Sequence, residues 1–84
     1  MFYVYILRSA KNNSLYIGYT NDLKRRFDEH NKGKNKYTKP LRPFKLVFYE
    51  AFSDRIDAKR REIYLKSGWG RKSIKALLCH YFSI

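Results

Sequence analysis

Residues 2–7 alternate with a period of two: Tyr3, Tyr5 and Leu7 fall on one side, Phe2, Val4 and Ile6 on the other. That period predicts a strand, and because both sides are apolar it predicts a central one. Residues 9–14 (SAKNNS) are polar and carry the Asn-Asn pair typical of hairpin loops. A return strand follows over residues 15–19, with Tyr16 and Gly18 on one face and Leu15, Ile17 and Tyr19 on the other. The period then changes. Thr20-Asn21-Asp22 offers N-cap chemistry, and residues 22–31 (DLKRRFDEHN) read as a helix that Gly33 stops. Residues 32–43 form a basic loop punctuated by Pro40 and Pro43, and residues 44–51 read as a third strand. Ser53-Asp54 caps a second helix running to Lys66, residues 67–70 (SGWG) break it, and Ile74, Leu77, Leu78 and Tyr81 mark a third, amphipathic helix. The order ββαβαα predicts one α+β domain over residues 1–84, a small, mainly antiparallel sheet with two helices covering one face.

Charge narrows the partners. Nineteen Lys and Arg against seven Asp and Glu give a formal net charge of +12, so a polyanion is the expected partner. Nucleic acid is the first candidate. An anionic membrane is the rival, but no long basic amphipathic helix with a clean apolar face is present to favour it. The opening run MFYVYIL is too short for a membrane span or a secretory core, which points to the cytoplasm or the nucleoid. One cysteine, Cys79, excludes an intramolecular disulfide, and its apolar helical setting predicts a buried small hydrophobe. Trp69 is expected to anchor the turn between the second and third helices against the core.

Two helices carry residues that packing alone does not explain. The first has an apolar stripe beginning with Leu23 and Phe27, yet Arg26 and His30 fall beside them. A cation and an imidazole next to a core cost free energy unless they have partners or a task. On the second, Glu62 shares a side with Ala58 and Leu65, with Ile63 adding bulk beside it. It is the one acidic residue so placed; Asp54 and Asp57 belong to the first turn, where carboxylates suit the helix dipole. Each residue also has a plain reading. Tyr5 and Tyr16 are ordinary strand aromatics on that view, His30 a helix-end residue, Arg26 a solvated charge, and Glu62 a surface partner of Lys59 or Lys66.

Taken together, these positions resemble the GIY-YIG nuclease family, most closely its small stand-alone bacterial members. Tyr3-Val4-Tyr5 stands where the family has its first tripeptide, and Tyr16-Ile17-Gly18 matches the second literally, eleven residues after Tyr5. Arg26 and His30 in LKRRFDEHN look like its catalytic helix, and Glu62 in AKRREIYLK looks like its metal-binding glutamate. The likeness spans essentially the whole chain. It implies a three-stranded antiparallel sheet flanked by helices, and hydrolysis of DNA phosphodiesters with a single Mg²⁺ or Mn²⁺, in repair or recombination by analogy. It implies that Glu62 holds the ion and that Arg26 neutralises charge on the phosphoryl oxygens. It also implies that one of Tyr5 and Tyr16 orients or deprotonates the attacking water while the other hydrogen-bonds phosphate or metal-bound water, with His30 assisting as proton acceptor or phosphate ligand; the general base stays open among the three. Tyr37 with Lys34, Lys36, Lys39 and Arg25 is expected to hold the nucleic-acid backbone without reading sequence. The chain departs from the family in its YVY tripeptide and in having no Asn after Glu62, where Ser73 or Lys72 would substitute. The alternatives are a binding module of the same fold for DNA or structured RNA, and an interaction domain for an acidic protein.

Overall fold

The computed structural model describes residues 1–83. Strands β1 (Phe2–Ser9), β2 (Leu15–Thr20) and β3 (Phe44–Phe52) form one antiparallel sheet in the order β2-β1-β3, with helices α1 (Leu23–Asn31), α2 (Arg55–Lys66), α3 (Gly68–Leu77) and α4 (Cys79–Ser83) around it. The fold is therefore the expected α+β arrangement with the doubly apolar strand β1 at its centre. Among the described residues no helix is long and apolar enough to cross a membrane.

The two faces of β1 build two different cores. Val4 and Ile6, with Ile17 of β2, pack under Ala58 and Leu65 of α2 and Ile74 of α3, and this layer is aliphatic. Fully burying a side chain such as Leu65 contributes about 1.5–3 kcal/mol. Tyr5 and Leu7 face the other way, against Phe44, with Tyr16, Leu23, Phe27 and Leu41 around them. This second layer is roofed by α1 and the basic loop, and it contains the groups able to do chemistry.

Local polar contacts fix the ends of the elements. Asp22 caps α1 by accepting from the Arg25 N–H at 3.1 Å, and Gly33 takes the left-handed φ of +77° just past its end. The Asn31 side chain then clips α1 to β3, accepting from the Phe44 N–H at 2.7 Å and donating to its carbonyl at 3.2 Å. Ser9, fully buried, donates to the Leu41 carbonyl at 2.6 Å and so ties the hairpin to the basic loop.

Four expectations change. The break after α2 is one residue, not four: Ser67 ends α2 and caps α3 by accepting from the Gly70 N–H, so Gly68-Trp69-Gly70 is the first turn of a helix. The third helix ends at Leu77, and the bend at Leu78 turns Phe82, rather than Tyr81, toward the aliphatic core. Cys79 is exposed, because α4 is offset from the stripe that would have buried it. Trp69 (72% exposed) and Ile63 (70%) point to solvent, since Gly70 and Leu65 are the residues at the α2–α3 contact.

That contact is tight. A Cβ built on Gly70 would overlap the Tyr64 carbonyl and the Leu65 Cα, whereas one on Gly68 would meet only open space. Gly70→Ala is therefore expected to lose about 1–3 kcal/mol, because backbone must move. Gly68→Ala is expected to gain about 0.5 kcal/mol from the reduced entropy of the unfolded chain. Urea denaturation of the two variants checks the pair, and equal effects would contradict the packing described.

Candidate active site

The site begins at one cross-strand pair. Tyr5 of β1 lies opposite Gly18 of β2, and a Cβ at residue 18 would overlap the Tyr5 ring and hydroxyl. The missing side chain lets the phenol lie across the β2 backbone; any other residue at position 18 would displace it. Two residues back on the same face, Tyr16 places its ring 6.4 Å from that of Tyr5, tilted at 41°.

Helix α1 supplies the next two groups. His30 is fully buried, and its Nε2 lies 2.9 Å from the Tyr5 hydroxyl. Its Nδ1 lies 2.8 Å from Oγ1 of Thr38, itself buried. The Tyr16 and Phe44 rings enclose the imidazole at centroid distances of 4.9 and 6.2 Å. Thr38 is held from below: the Asn35 side-chain oxygen accepts from the Tyr37 and Thr38 N–H groups at 2.9 and 3.2 Å. Arg26, one turn before His30, donates to the Glu29 carboxylate at 3.2 Å, and its charge acts on the Tyr5 hydroxyl.

Burial sets the protonation of the pair. It pushes the Tyr5 phenol up to about 12, with the charges of Tyr16 and Glu62 adding to it and the Arg26 guanidinium opposing. Burial also lowers the His30 pKa, and Arg26 lowers it further, against a smaller opposing effect of Glu29. Burial works against the Arg26 charge too, but Tyr5 and Glu29 outweigh it and its pKa rises. Near neutral pH the site thus holds a neutral phenol against a neutral imidazole, under a guanidinium.

The donor inventory then assigns the protons. The Thr38 hydroxyl donates to the Asn35 carbonyl at 3.5 Å, so its oxygen accepts from His30 Nδ1. The imidazole proton therefore sits on Nδ1, and the bare Nε2 accepts from the Tyr5 hydroxyl. The result is a directional chain, Tyr5 to His30 and His30 to Thr38, buried behind the more accessible Tyr16.

Glu62 approaches from α2. Its side chain is 15% exposed, close enough for its charge to act on the Tyr5 hydroxyl, and its Oε2 accepts from Lys66 Nζ at 3.1 Å. The surface pair and the inward position thus coexist. Among the described residues no three His, Cys, Asp or Glu side chains gather into a metal cage. One carboxylate fits a hard ion that keeps most of its waters, such as Mg²⁺ or Mn²⁺, and does not fit zinc, which asks for three or four protein ligands. Glu62 is the side chain able to hold such an ion.

The peripheral residues lie apart from this cluster. Tyr37 is 77% exposed with Lys36 Nζ 5.6 Å from its ring centroid, and Lys34, Lys36 and Lys39 are exposed on the same loop. Arg25 is exposed beside Asp22 at the start of α1. Ser73 is engaged with the Tyr64 hydroxyl at 2.8 Å and Lys72 lies over the Trp69 ring, so neither is shown at the site in place of an Asn. Thr38 escaped the sequence reading, since a hydroxyl in a polar loop carries no periodic signal.

Comparisons with known proteins bear on the family and the fold. A family model described as the GIY-YIG catalytic domain matches residues 1–75. The UPF0213 protein SH2523 of Staphylococcus haemolyticus is 45% identical over 76 residues, which is 89% of this chain and 92% of that one. The UPF0213 protein YazA of Bacillus subtilis is 48% identical over 65 residues, 76% of this chain and 65% of that one. The solution NMR structure of the UPF0213 protein BH0048 from Bacillus halodurans superposes with a TM-score of 0.56 at 41% identity, covering 92% of this chain and 85% of that one.

The depressed His30 pKa links the site to stability. The unfolded chain takes up a proton near pH 6.5 and the folded one resists it, so stability is full above about pH 6.5 and is lost as pH falls toward the lower folded value. Thermal unfolding between pH 7.5 and 5 should show a falling Tm, and His30→Gln should flatten that slope even though it lowers the Tm at pH 7.5. An unchanged slope in the variant would mean that His30 is not held neutral by the fold.

Proposed function

This chain belongs to the GIY-YIG family of nucleases, and on that premise we propose that it is an endonuclease hydrolysing DNA phosphodiester bonds with one divalent ion held at Glu62. The observation that carries the reading is the convergence of Tyr5, Tyr16, Arg26 and His30 on one face of the β1–β2 ribbon, with the Glu62 carboxylate acting on the same hydroxyl.

Each group has a task that its surroundings favour. Arg26, one-third exposed and permanently charged, meets the scissile phosphate and neutralises charge gathering on its oxygens. Tyr16, half-buried at the surface of the cluster, hydrogen-bonds the phosphate or the attacking water. Tyr5 and His30 act as one base. As water attacks phosphorus, its proton passes to the Tyr5 oxygen while the Tyr5 proton passes to His30 Nε2. The imidazolium so formed keeps its Nδ1 proton on Thr38 and later releases the extra one to solvent. A phenol with a pKa near 12 is a poor base alone, so the imidazole behind it is what makes the transfer feasible near neutrality. When bound, a divalent ion supplies Lewis-acid charge at the leaving 3′ oxygen. The Lys34, Lys36 and Lys39 side chains of the loop, with Tyr37 and Arg25, hold backbone phosphates. Such contacts carry little sequence information, so cutting is weakly selective for sequence.

The direct assay incubates supercoiled, branched and single-stranded DNA with the protein in Mg²⁺ or Mn²⁺, against an EDTA control. Metal-dependent nicking is expected. Glu62→Gln should reduce it at least about 100-fold while DNA affinity changes less than about twofold, because one carboxylate matters to the ion more than to the backbone contacts. A gel shift with no nicks, or Mg²⁺-dependent nicking retained in Glu62→Gln, would sink the reading. The pH profile tests the base. Protonated His30 cannot accept, so the rate should fall on the acid side, at a pH below the ordinary histidine value because burial lowers the His30 pKa, and run flat from pH 7 to 9, where no phenolate forms. A rate climbing tenfold per pH unit through that range would instead identify a free tyrosinate as the base.

A further inference from the structure

A cleft of about 830 Å³ lies between the hairpin end of the β1–β2 ribbon and helices α3 and α4. Its volume falls within the range of about 300–1,000 Å³ usual for small-molecule sites. Arg8, Lys66, Arg71 and Lys75 line it, and no Asp or Glu does among the described residues. Its apolar wall comes from Leu15, Ile74 and Phe82.

Arg8 is the unusual member. Its guanidinium carbon lies 5.4 Å from the Tyr81 ring centroid and 5.7 Å from that of Phe82, and its buried Nε has no hydrogen-bond partner among the described residues. A buried donor left unpaired is costly unless a ligand oxygen completes it. Arg71 and Lys75 are both exposed on one side of α3, and neither is in an ion pair among the described residues. The cleft also opens onto the cluster already described. Tyr16 stands at its edge, and Lys66, on its rim, is the partner of Glu62.

We propose that this cleft seats one unpaired nucleotide of the strand being cut, adjacent to the scissile phosphate. The proposal rests on the nuclease reading above. Arg8, Arg71 and Lys75 take the phosphate oxygens of that nucleotide, and the wall of Leu15, Ile74 and Phe82 takes the face of its base. A continuous duplex gains nothing from the apolar part of such a concavity, because its base faces are already stacked. A base out of the stack gains contact on a face that is otherwise wet. The charge argues for a phosphate-bearing ligand, and the apolar wall beside the charge argues for a nucleotide rather than a bare phosphate.

The test reads binding in EDTA, where no ion-dependent cleavage occurs. Fluorescence anisotropy compares a blunt duplex with the same duplex carrying a short single-stranded tail, with 2-aminopurine as the first unpaired base. The tailed duplex should bind about tenfold more tightly, the size of effect one stacked base provides, and the 2-aminopurine signal should change on binding. R71A/K75A removes two exposed cations, so the fold should survive. It is expected to abolish the tailed-to-blunt affinity ratio, and the ratio discounts the general loss of charge that weakens both ligands. Arg8→Gln should lower the ratio as well. A wild-type ratio near one, or a ratio unchanged in R71A/K75A, overturns the proposal, as does preferential binding of phosphatidylglycerol vesicles through the same cations. The two readings separate in the wild-type protein, because the ratio is read in EDTA and nicking is read in Mg²⁺. A preserved ratio without any nicking would overturn the catalytic reading and leave the seat standing.

Discussion

The hydrogen bond between the Tyr5 hydroxyl and His30 Nε2 holds the sheet to α1 on the side of the molecule where a second aliphatic core would otherwise sit. It is buried at both ends, and that burial keeps both groups neutral near pH 7. The bond depends on Gly18, whose bare Cα gives the phenol its place, and on Thr38, which holds the far side of the imidazole. Sheet, helix and basic loop therefore meet through three side chains and one missing side chain.

The fold divides its labour between the two faces of β1. The face toward α2 and α3 is aliphatic and supplies burial. The face toward α1 carries a phenol, an imidazole and a nearby guanidinium, all costly to enclose and each compensated by a specific partner. A domain of this size has little stability in reserve, so a polar cluster in half of its core makes sense only if it serves something other than folding. Glu62 stands on the helix of the stabilising face, largely buried beside Lys66, and its charge adds the smallest of the effects that raise the Tyr5 pKa.

Much of this was legible in the amino-acid sequence. The period-two run with two apolar sides marked β1 as central, and the intrusion of Arg26 and His30 into an apolar stripe marked the chemical face. Where the sequence misled, the cause was local backbone geometry that periodicity does not carry. Gly68 and Gly70 read as a break, yet one begins a helix and the other permits its close approach to α2. The stripe over Ile74, Leu77, Leu78 and Tyr81 read as one helix, but the bend at Leu78 sends Phe82 inward and leaves Cys79 exposed. Thr38 was invisible because its importance comes from a contact across eight residues of irregular chain. The basic cleft was invisible for the same reason: Arg8 is distant in sequence from Arg71 and Lys75, and they meet only in the fold.

The central claim is that Tyr5 presents its proton to an imidazole already anchored at its other nitrogen. Nitrogen-15 NMR of the His30 ring at neutral pH tests it most directly, since the shift of each ring nitrogen reports whether that atom carries a proton. The account predicts a neutral ring, protonated at Nδ1 and bare at Nε2, with Tyr5→Phe altering chiefly the Nε2 resonance. A proton on Nε2, or an imidazolium at pH 7, would contradict it.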